Sequence, residues 1–263
     1  MVQKLTKLFL FTFIVLSFSC SSYKNIPYFQ DLDHAKITEE NINNFSVIKV
    51  QKGDILGINV NSLNPEAASI FNTSLSRVNG NNMENTSSNP VFGFKVDADG
   101  VVKLPLIGEF KVLGKTTDEI EKQLTVELFP YLKKPIVNVR ILNFKISVFG
   151  DVLKPDVYNV QNDHININEA LSLAGDLTIT AKRKNILLIR ESNGKRQYFP
   201  VDMTKKEIFN SPYYYLQNND ILYIEPDKTK YAPVDRGYRT TSLLFSALSA
   251  VAVLVSAIII QRR

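Results

Sequence analysis

Strand-like alternation and helical periodicity take turns along this chain, and its last stretch departs from both. The first β signal lies in "FSVIKVQKGDILGINVNS". There Val47, Ile48 and Val50 lead into Lys52, Gly53 and Asp54, and Ile55, Leu56, Ile58 and Val60 then resume the β pattern. The pattern predicts a hairpin turning at residues 52–54. A short helix is predicted after Pro65. The Asn-, Ser- and Gly-rich run that continues to residue 90 buries too little to offset the entropy of ordering it, so a mobile loop is expected. In "GFKVDADGVVKLPLIGEFKVLGKT" Asp99 and Gly100 separate two β-like runs and suit the positive φ angles of a tight hairpin turn. Asp97 and Asp99 do not read as a calcium loop, because Lys95 and Leu106 stand where its first and last ligands belong.

Thr116 is placed to cap the next helix, with Glu119 three residues on to complete a capping box. Ile120, Leu124, Leu128 and Tyr131 recur at helical spacing and predict one apolar face packed on a sheet. "IVNVRILNFKISVFG" supplies the following strand, giving a β-β-α-β unit of α+β character. A second unit starts near Asn143. "KISVFGDVLKPDVYNV" reads as two strands around a turn containing Gly150 and Pro155, and "INEALSLAGDL" as a short helix capped by Asn166 and Glu169 and stopped at Gly175. "NILLIRESNGKRQYFPV" reads as a hairpin turning at Asn193 and Gly194, and "DILYIEP" as one more strand ended by Pro226. Strands wrapped on one short helix make a β-grasp the economical arrangement.

The closing run, "SLLFSALSAVAVLVSAIIIQRR", fits neither unit. Leu243 to Ile260 carries no formal charge over 18 residues, and at about 1.5 Å per residue it is roughly 27 Å long, near the hydrocarbon thickness of a bilayer. Ser242, Ser246, Ser249, Val253 and Ser256 recur at steps of four and three, with Ala250 and Ala257 beside them. Leu244, Leu248, Val251, Val255 and Ile258 occupy the opposite face. Small residues let membrane helices approach closely, and hydroxyls bond a neighbour or water. The stripe therefore packs helices or lines an opening; the rival readings are a simple tether and a buried core helix.

At the other end, Lys4 and Lys7 precede the apolar run Leu8 to Leu16 and then Ser17, Phe18, Ser19 and Cys20, the pattern of a secretory leader over residues 1–19. Cys20 is the chain's one cysteine, so no disulfide framework can form within it. A thiol at the cleavage point resembles a lipobox, whose cysteine is acylated and becomes the first residue of a lipoprotein. A plain leader with an incidental cysteine is the alternative. The 263 residues, 44% hydrophobic and 22% charged, suit one or two globular domains with real cores. The net charge of +5 falls to +3 without Lys4 and Lys7, too small an excess to argue for nucleic acid.

"VDADGVVKLPLIGEFKVLGKTTDEIEKQL", with "YLKKPIVNVRI" after it, resembles the polysaccharide export domain of bacterial outer-membrane export lipoproteins of the Wza type. "VFGDVLKPDVY" and "INEALSLAGDL" resemble the soluble-ligand-binding β-grasp domain that follows in those proteins, with Asp156 departing from the glycine more usual after the proline. On this resemblance the chain divides into a lipoprotein signal peptide (1–19), an N-terminal arm (20–44) in which Tyr28 and Phe29 dock on the body, and an export domain (45–142). A β-grasp domain (143–228), a linker (229–241) and a transmembrane helix (242–260) follow. The resemblance implies a ring-shaped homo-oligomer, lipid-anchored at Cys20 in the outer membrane of a Gram-negative bacterium with its body in the periplasm. The ring of helices would surround an exit for capsular polysaccharide or exopolysaccharide and work with an inner-membrane polysaccharide copolymerase.

Catalytic chemistry is not expected. His34 and His164 are isolated from each other and from Cys20, so neither a metal cluster nor a nucleophile-base pair emerges, and no cofactor is implied. No pair of carboxylates is singled out for glycosidic chemistry. Lys182, Arg183, Lys184, Lys195 and Arg196 form a basic cluster that reads as a solvated strand edge or as an attraction for an acidic polymer or neighbouring subunit. Tyr213, Tyr214 and Tyr215 read as core or seam residues, with stacking on sugar rings as the alternative. Besides the export channel, a periplasmic ligand-binding or scaffolding lipoprotein without its own pore, and a polysaccharide-modifying enzyme, remain as rival functions.

Overall fold

The computed structural model describes residues 26–33, 35–76, 93–192 and 194–261. They form a mixture of helix and sheet around two apolar cores, followed by one long helix. The expected leader, Cys20, His34 and the expected loop beyond Ser76 lie outside the described residues.

The first core is organised by strand β1 (Ile55–Asn61), whose Leu56, Ile58 and Val60 are fully buried. It is followed by helix α1 (Pro65–Ser76), strands β2 (Phe94–Lys95), β3 (Val101–Leu104) and β4 (Gly108–Lys111), helix α2 (Thr117–Leu128) and strand β5 (Ile136–Ile141). β1 lies between β2 and β5, antiparallel to both, while β3 and β4 make a separate hairpin. Asn72 of α1 brackets Val60, accepting from its N–H at 2.9 Å and donating to its C=O at 2.7 Å, which ties α1 to the middle strand. The capping box forms as read, Thr116 accepting from the Glu119 N–H and Glu119 from the Thr116 N–H. Glu121 accepts from the Val139 N–H at 2.8 Å and fixes α2 to β5.

Three local expectations are corrected. No hairpin joins 47–50 to β1. Val50 instead exchanges bonds with the approach to α2, its N–H to Lys115 and its C=O from Gly114, because β1 is already paired along its length with β5. Asp99 and Gly100 do form a turn, with Gly100 at φ +80°, but the paired hairpin is the next one, β3–β4, turning through Pro105 to Ile107. Tyr131 is 53% exposed and Leu132 takes its place in the core, since α2 stops at Leu128 and the chain tightens there, with Tyr131 N–H reaching back only three residues.

The second core lies under a five-stranded sheet. Strands β6 (Lys145–Gly150) and β7 (Asp156–Asn159), helix α3 (Ile167–Leu173) and strands β8 (Ala181–Ser192), β9 (Lys195–Val201) and β10 (Ile221–Pro226) follow in sequence, and their order across the sheet is β7-β6-β10-β8-β9. β10 runs parallel to β6 and antiparallel to β8. Gly150, at φ +105°, is required where β6 meets β10, because a Cβ there would stand 2.1 Å from the Ile224 carbonyl oxygen. Asn166 and Glu169 form the second capping box at the start of α3.

The arm before the first core belongs to the second one. Tyr28 and Phe29 pack against it as expected, the Phe29 and Gln30 N–H groups donate to Met203 and Thr204, and the Asn44 amide donates to the Phe209 and Ser211 carbonyls, each at 2.7 Å. Ile48 is part of the second core and Val50 of the first, so the chain crosses between units at residues 48–50. A buried bolt closes the junction. Asp54 accepts from the Asn218 amide at 2.7 Å and from the Gln51 N–H at 2.8 Å, and Asn218 accepts in turn from Lys145. Helix α4 (Arg236–Gln261) ends the described chain.

Candidate functional site

Helix α4 begins six residues earlier than the 242 expected from hydropathy, and the cause is local. The Asp235 carboxylate accepts from the Gly237 and Tyr238 N–H groups at 2.7 and 3.2 Å, satisfying donors that a helix start leaves open. The expected linker 229–241 therefore contains most of a 3-10 turn, Lys228–Tyr231, a short connection over residues 232–235 and the first turns of α4. The most apolar 18-residue window within Arg236–Ile258 has a mean hydropathy of 2.1, and none of it is buried inside the rest of the protein. Leu244, Leu248, Val251, Val255 and Ile258 are all exposed. A buried core helix is thereby excluded, and α4 is long and apolar enough to cross a membrane.

The two faces read from the sequence survive in the helix. At about 100° per residue, Ser242, Ser246, Ser249, Val253 and Ser256 fall within roughly 80° of arc, and the bulky residues fall opposite. The hydroxyls of Ser246, Ser249 and Ser256 donate to the carbonyls of Ser242, Ser246 and Val253 at 2.9, 2.8 and 2.7 Å. The protons of these three hydroxyls are thus satisfied within the helix, so they can enter an apolar medium as paired donors, and their oxygens remain available as acceptors.

The root of α4 is fastened to the second unit. Asp227 N–H donates to Thr180 at 2.7 Å, and the Lys230 ammonium contacts the fully buried carboxylate of Asp151, which also accepts from the Thr180 hydroxyl at 2.7 Å. Burial pushes the Asp151 carboxyl up, but Lys230 and the Thr180 and Thr178 hydroxyls outweigh it and hold it below the ordinary carboxylate range. Thr178 N–H donates to the Asp151 carbonyl. Arg183, buried, donates to the Thr178 and Ala181 carbonyls at 3.0 Å and lies over the ring of Tyr28, whose hydroxyl donates to Asp176. Burial and the Asp176 charge raise the Tyr28 phenol far above its usual range, so it remains a donor. The start of the arm and the root of α4 therefore meet on one strip of the protein, residues 176–183 with Asp151.

The basic cluster read from the sequence is not brought together as a patch. Lys182 pairs with Glu225 at 2.5 Å, Arg196 with Glu191 at 2.5 Å, and Arg183 is consumed by the arm contact, because alternate positions of β8 face opposite sides of the sheet. The tyrosines point inward to neighbours: Tyr213 stacks on Phe199 at 3.7 Å, Tyr214 meets Phe209 edge-on, and Tyr215 packs against Phe45 and His164. They offer no free platform for sugar rings. Among the described residues no group of three His, Cys, Asp or Glu side chains could hold a metal ion.

Sequence reasoning missed an apolar face on the outer side of the five-stranded sheet. In register across it run Val157, Ser147, Ile221, Ile189 and Tyr198, and beside them Phe149, Tyr223, Leu187 and Pro200. Phe149, Val157 and Tyr198 are exposed, and the Phe149 and Tyr223 rings lie 5.1 Å apart. The signal was present in β8 and β10, where both alternating sets of residues are apolar.

Comparison with known proteins places the first unit. Residues 43–142 match the family described as polysaccharide biosynthesis/export protein. The EPS I polysaccharide export outer membrane protein EpsA of Ralstonia solanacearum is 26% identical over 137 residues, and its counterpart in Ralstonia nicotianae 27% over 139. Each match takes in 51% of this chain but only 36% of the relative's own length. Residues 43–142 therefore carry a polysaccharide biosynthesis/export domain, in line with the Wza-type resemblance of the sequence, and the chain spans about a third of the length of the curated relatives it matches.

Proposed function

We propose that the chain is a non-enzymatic, oligomeric outer-membrane channel component for export of capsular polysaccharide or exopolysaccharide. One observation carries this beyond the family match: α4 is an uncovered, two-faced apolar helix rooted on the same strip of protein that Tyr28 of the arm contacts. Five residues lie between Cys20 and Ile26, and the six steps between them span at most about 20 Å at roughly 3.3–3.6 Å each. A lipid on Cys20 and the helix would then engage the same membrane from one side of the body.

The rest of the reading follows from topology. Residues 45–142 act as the export domain, 143–228 as a ligand-binding β-grasp domain, and copies assemble into a ring in the periplasm. Their α4 helices cross the outer membrane with the serine stripe facing a neighbour or the passage and the bulky face toward lipid. Once the helices gather, the apolar outer sheet faces of neighbouring copies are held at high effective concentration and form a seam. A hydrophilic polymer needs a continuous wet passage, which a ring supplies without chemistry at each sugar. The driving energy comes from an inner-membrane polysaccharide copolymerase system.

Native mass measurement of the detergent-extracted protein tests the proposal. A large defined oligomer is expected, together with a tag fused after Arg263 that is reachable on intact cells. A monomer, or a tag reachable only after the envelope is broken, overturns it in favour of a scaffolding lipoprotein without a pore.

A further inference from the structure

The junction between the two units opens into a cleft of about 970 Å³, walled by residues 46, 47 and 49–52 with Leu113 and Gly114 on one side and by the end of β8 and the start of β9 on the other. That volume is at the upper end of the roughly 300–1,000 Å³ of small-molecule sites. Its charge is one-sided. Lys49, Lys52, Lys195 and Arg196 line it against one acid, Glu191, which Arg196 already neutralises through two bonds of 2.8 and 2.5 Å. None of the ion pairs among the described residues engages Lys49, Lys52 or Lys195, and all three are exposed.

The floor of the cleft is fixed. Gln51 and Gln217 line it, and their backbone is pinned by buried carboxylates, the Gln51 N–H on Asp54 at 2.8 Å and the Gln217 N–H on Asp220 at 2.7 Å. Asp220 is itself locked by Arg190 at 2.6 and 2.9 Å, and Asp54 by Asn218 across the junction. The site is therefore preformed rather than assembled by a ligand.

What lines the cleft also selects among sugars. Recognition of a neutral glycan leans on aromatic faces, and the cleft has none, the nearby tyrosines being packed elsewhere. Three uncommitted ammonium groups above a pair of glutamines suit a chain that carries carboxylates and hydroxyls together.

Resting on the export reading above, we propose that this interdomain cleft binds an acidic segment of the exported polysaccharide, a run of sugars bearing carboxylates. The lysines hold the carboxylates as mobile point charges, and Gln51 and Gln217 bond hydroxyls. Ammonium contacts at an exposed cleft are weak singly and weaken with salt, which suits a polymer that must slide through rather than stay.

The test uses the full-length protein in mild detergent, with fluorescently labelled hexagalacturonate as the acidic probe and labelled maltohexaose as the neutral one, read by fluorescence anisotropy. Saturable, salt-sensitive binding of the acidic probe alone is expected. Reversing two charges by Lys49→Glu with Lys195→Glu should weaken it about tenfold, while Lys103→Glu, on the β3–β4 hairpin, should leave it unchanged. No binding of hexagalacturonate, equal binding of maltohexaose, or binding indifferent to the paired reversal overturns the proposal. Light scattering on the same samples separates the two readings: a ring that ignores the probe sinks the cleft alone, and a monomer that binds it sinks the channel alone.

Discussion

Helix α2 hides Ile120, Leu124 and Leu128 completely, whereas α4, more than twice as long, leaves its whole apolar span uncovered. α2 is the less hydrophobic of the two, yet it is the one that the fold absorbs. Its apolar residues keep to one stripe, and β1 and β5 present a sheet face of matching length, so burial is completed within the chain. α4 is apolar nearly all round, and neither core takes in any of its side chains. The hydrophobicity of α2 stabilises one molecule; that of α4 is left for surroundings outside the chain, which on the proposed function are a bilayer and other copies.

Paired truncations strain this contrast most. Leu124→Ala on α2 should cost about 2–5 kcal/mol, the usual range for emptying a well-packed site, and lower the melting temperature by roughly 4–8 °C per kcal/mol for a unit near 100 residues. Leu248→Ala on α4 should leave melting of the soluble body within about 0.5 kcal/mol. Equal destabilisation by the two, followed by near-UV circular dichroism, would mean that the body covers α4 after all.

The root of α4 gives the next effect. Asp151→Asn keeps the bond to Thr180 but strips Lys230 of its charged partner, a loss of about 1–3 kcal/mol at a buried polar group. It should appear as faster hydrogen exchange across residues 227–231 with little change in α2. pH offers the same lever without a mutation. Because the folded Asp151 carboxyl is held below its ordinary value, its contribution is complete above about pH 4, the unfolded value, and is lost as pH falls through the folded one. Protection at the root that is flat between neutral pH and pH 3 would show that Lys230 is not what holds it.

A smaller effect is expected from Phe149→Glu on the outer sheet face. The side chain is 44% exposed, so the isolated subunit should keep its stability within about 0.5 kcal/mol. Assembly, measured as the fraction of oligomer on dilution in detergent, should fall. If the oligomer is unchanged, the seam lies elsewhere and α4 alone holds the copies together.

How far the sequence reached follows the same divide. Both capping boxes, the α2 stripe, the β8–β9 hairpin and the two faces of α4 were legible because each depends on residues a few places apart. The hairpin expected at 52–54 failed because local alternation does not say which partner a strand takes, and β5, some eighty residues on, outcompetes the neighbour. Similarly, the cluster at Lys182, Arg183 and Lys184 looked like a patch only while β8 was a line of text; the pleat sends Arg183 inward to Tyr28 and Lys182 out to Glu225. The cleft was invisible for the opposite reason, since Lys49 and Lys195 meet across 146 positions only when the two units lock through Asp54 and Asn218.

The stripe on α4 is the finest point of the comparison and carries the smallest effect. Ser249 lies near the middle of the apolar run, its hydroxyl bonded to Ser246 and its oxygen free to accept. If the stripe packs against a neighbour, Ser249→Leu holds the helices apart and forfeits about 0.6–2 kcal/mol at each contact. A ring repeats that loss at every seam, so a modest cost per contact becomes a visible drop in native mass. Leu248→Ser on the opposite face leaves the small-residue seam intact and should not reduce the mass. An unchanged mass with Ser249→Leu, together with labelling of a Ser249→Cys variant by a water-soluble thiol reagent, would place the stripe along the passage instead.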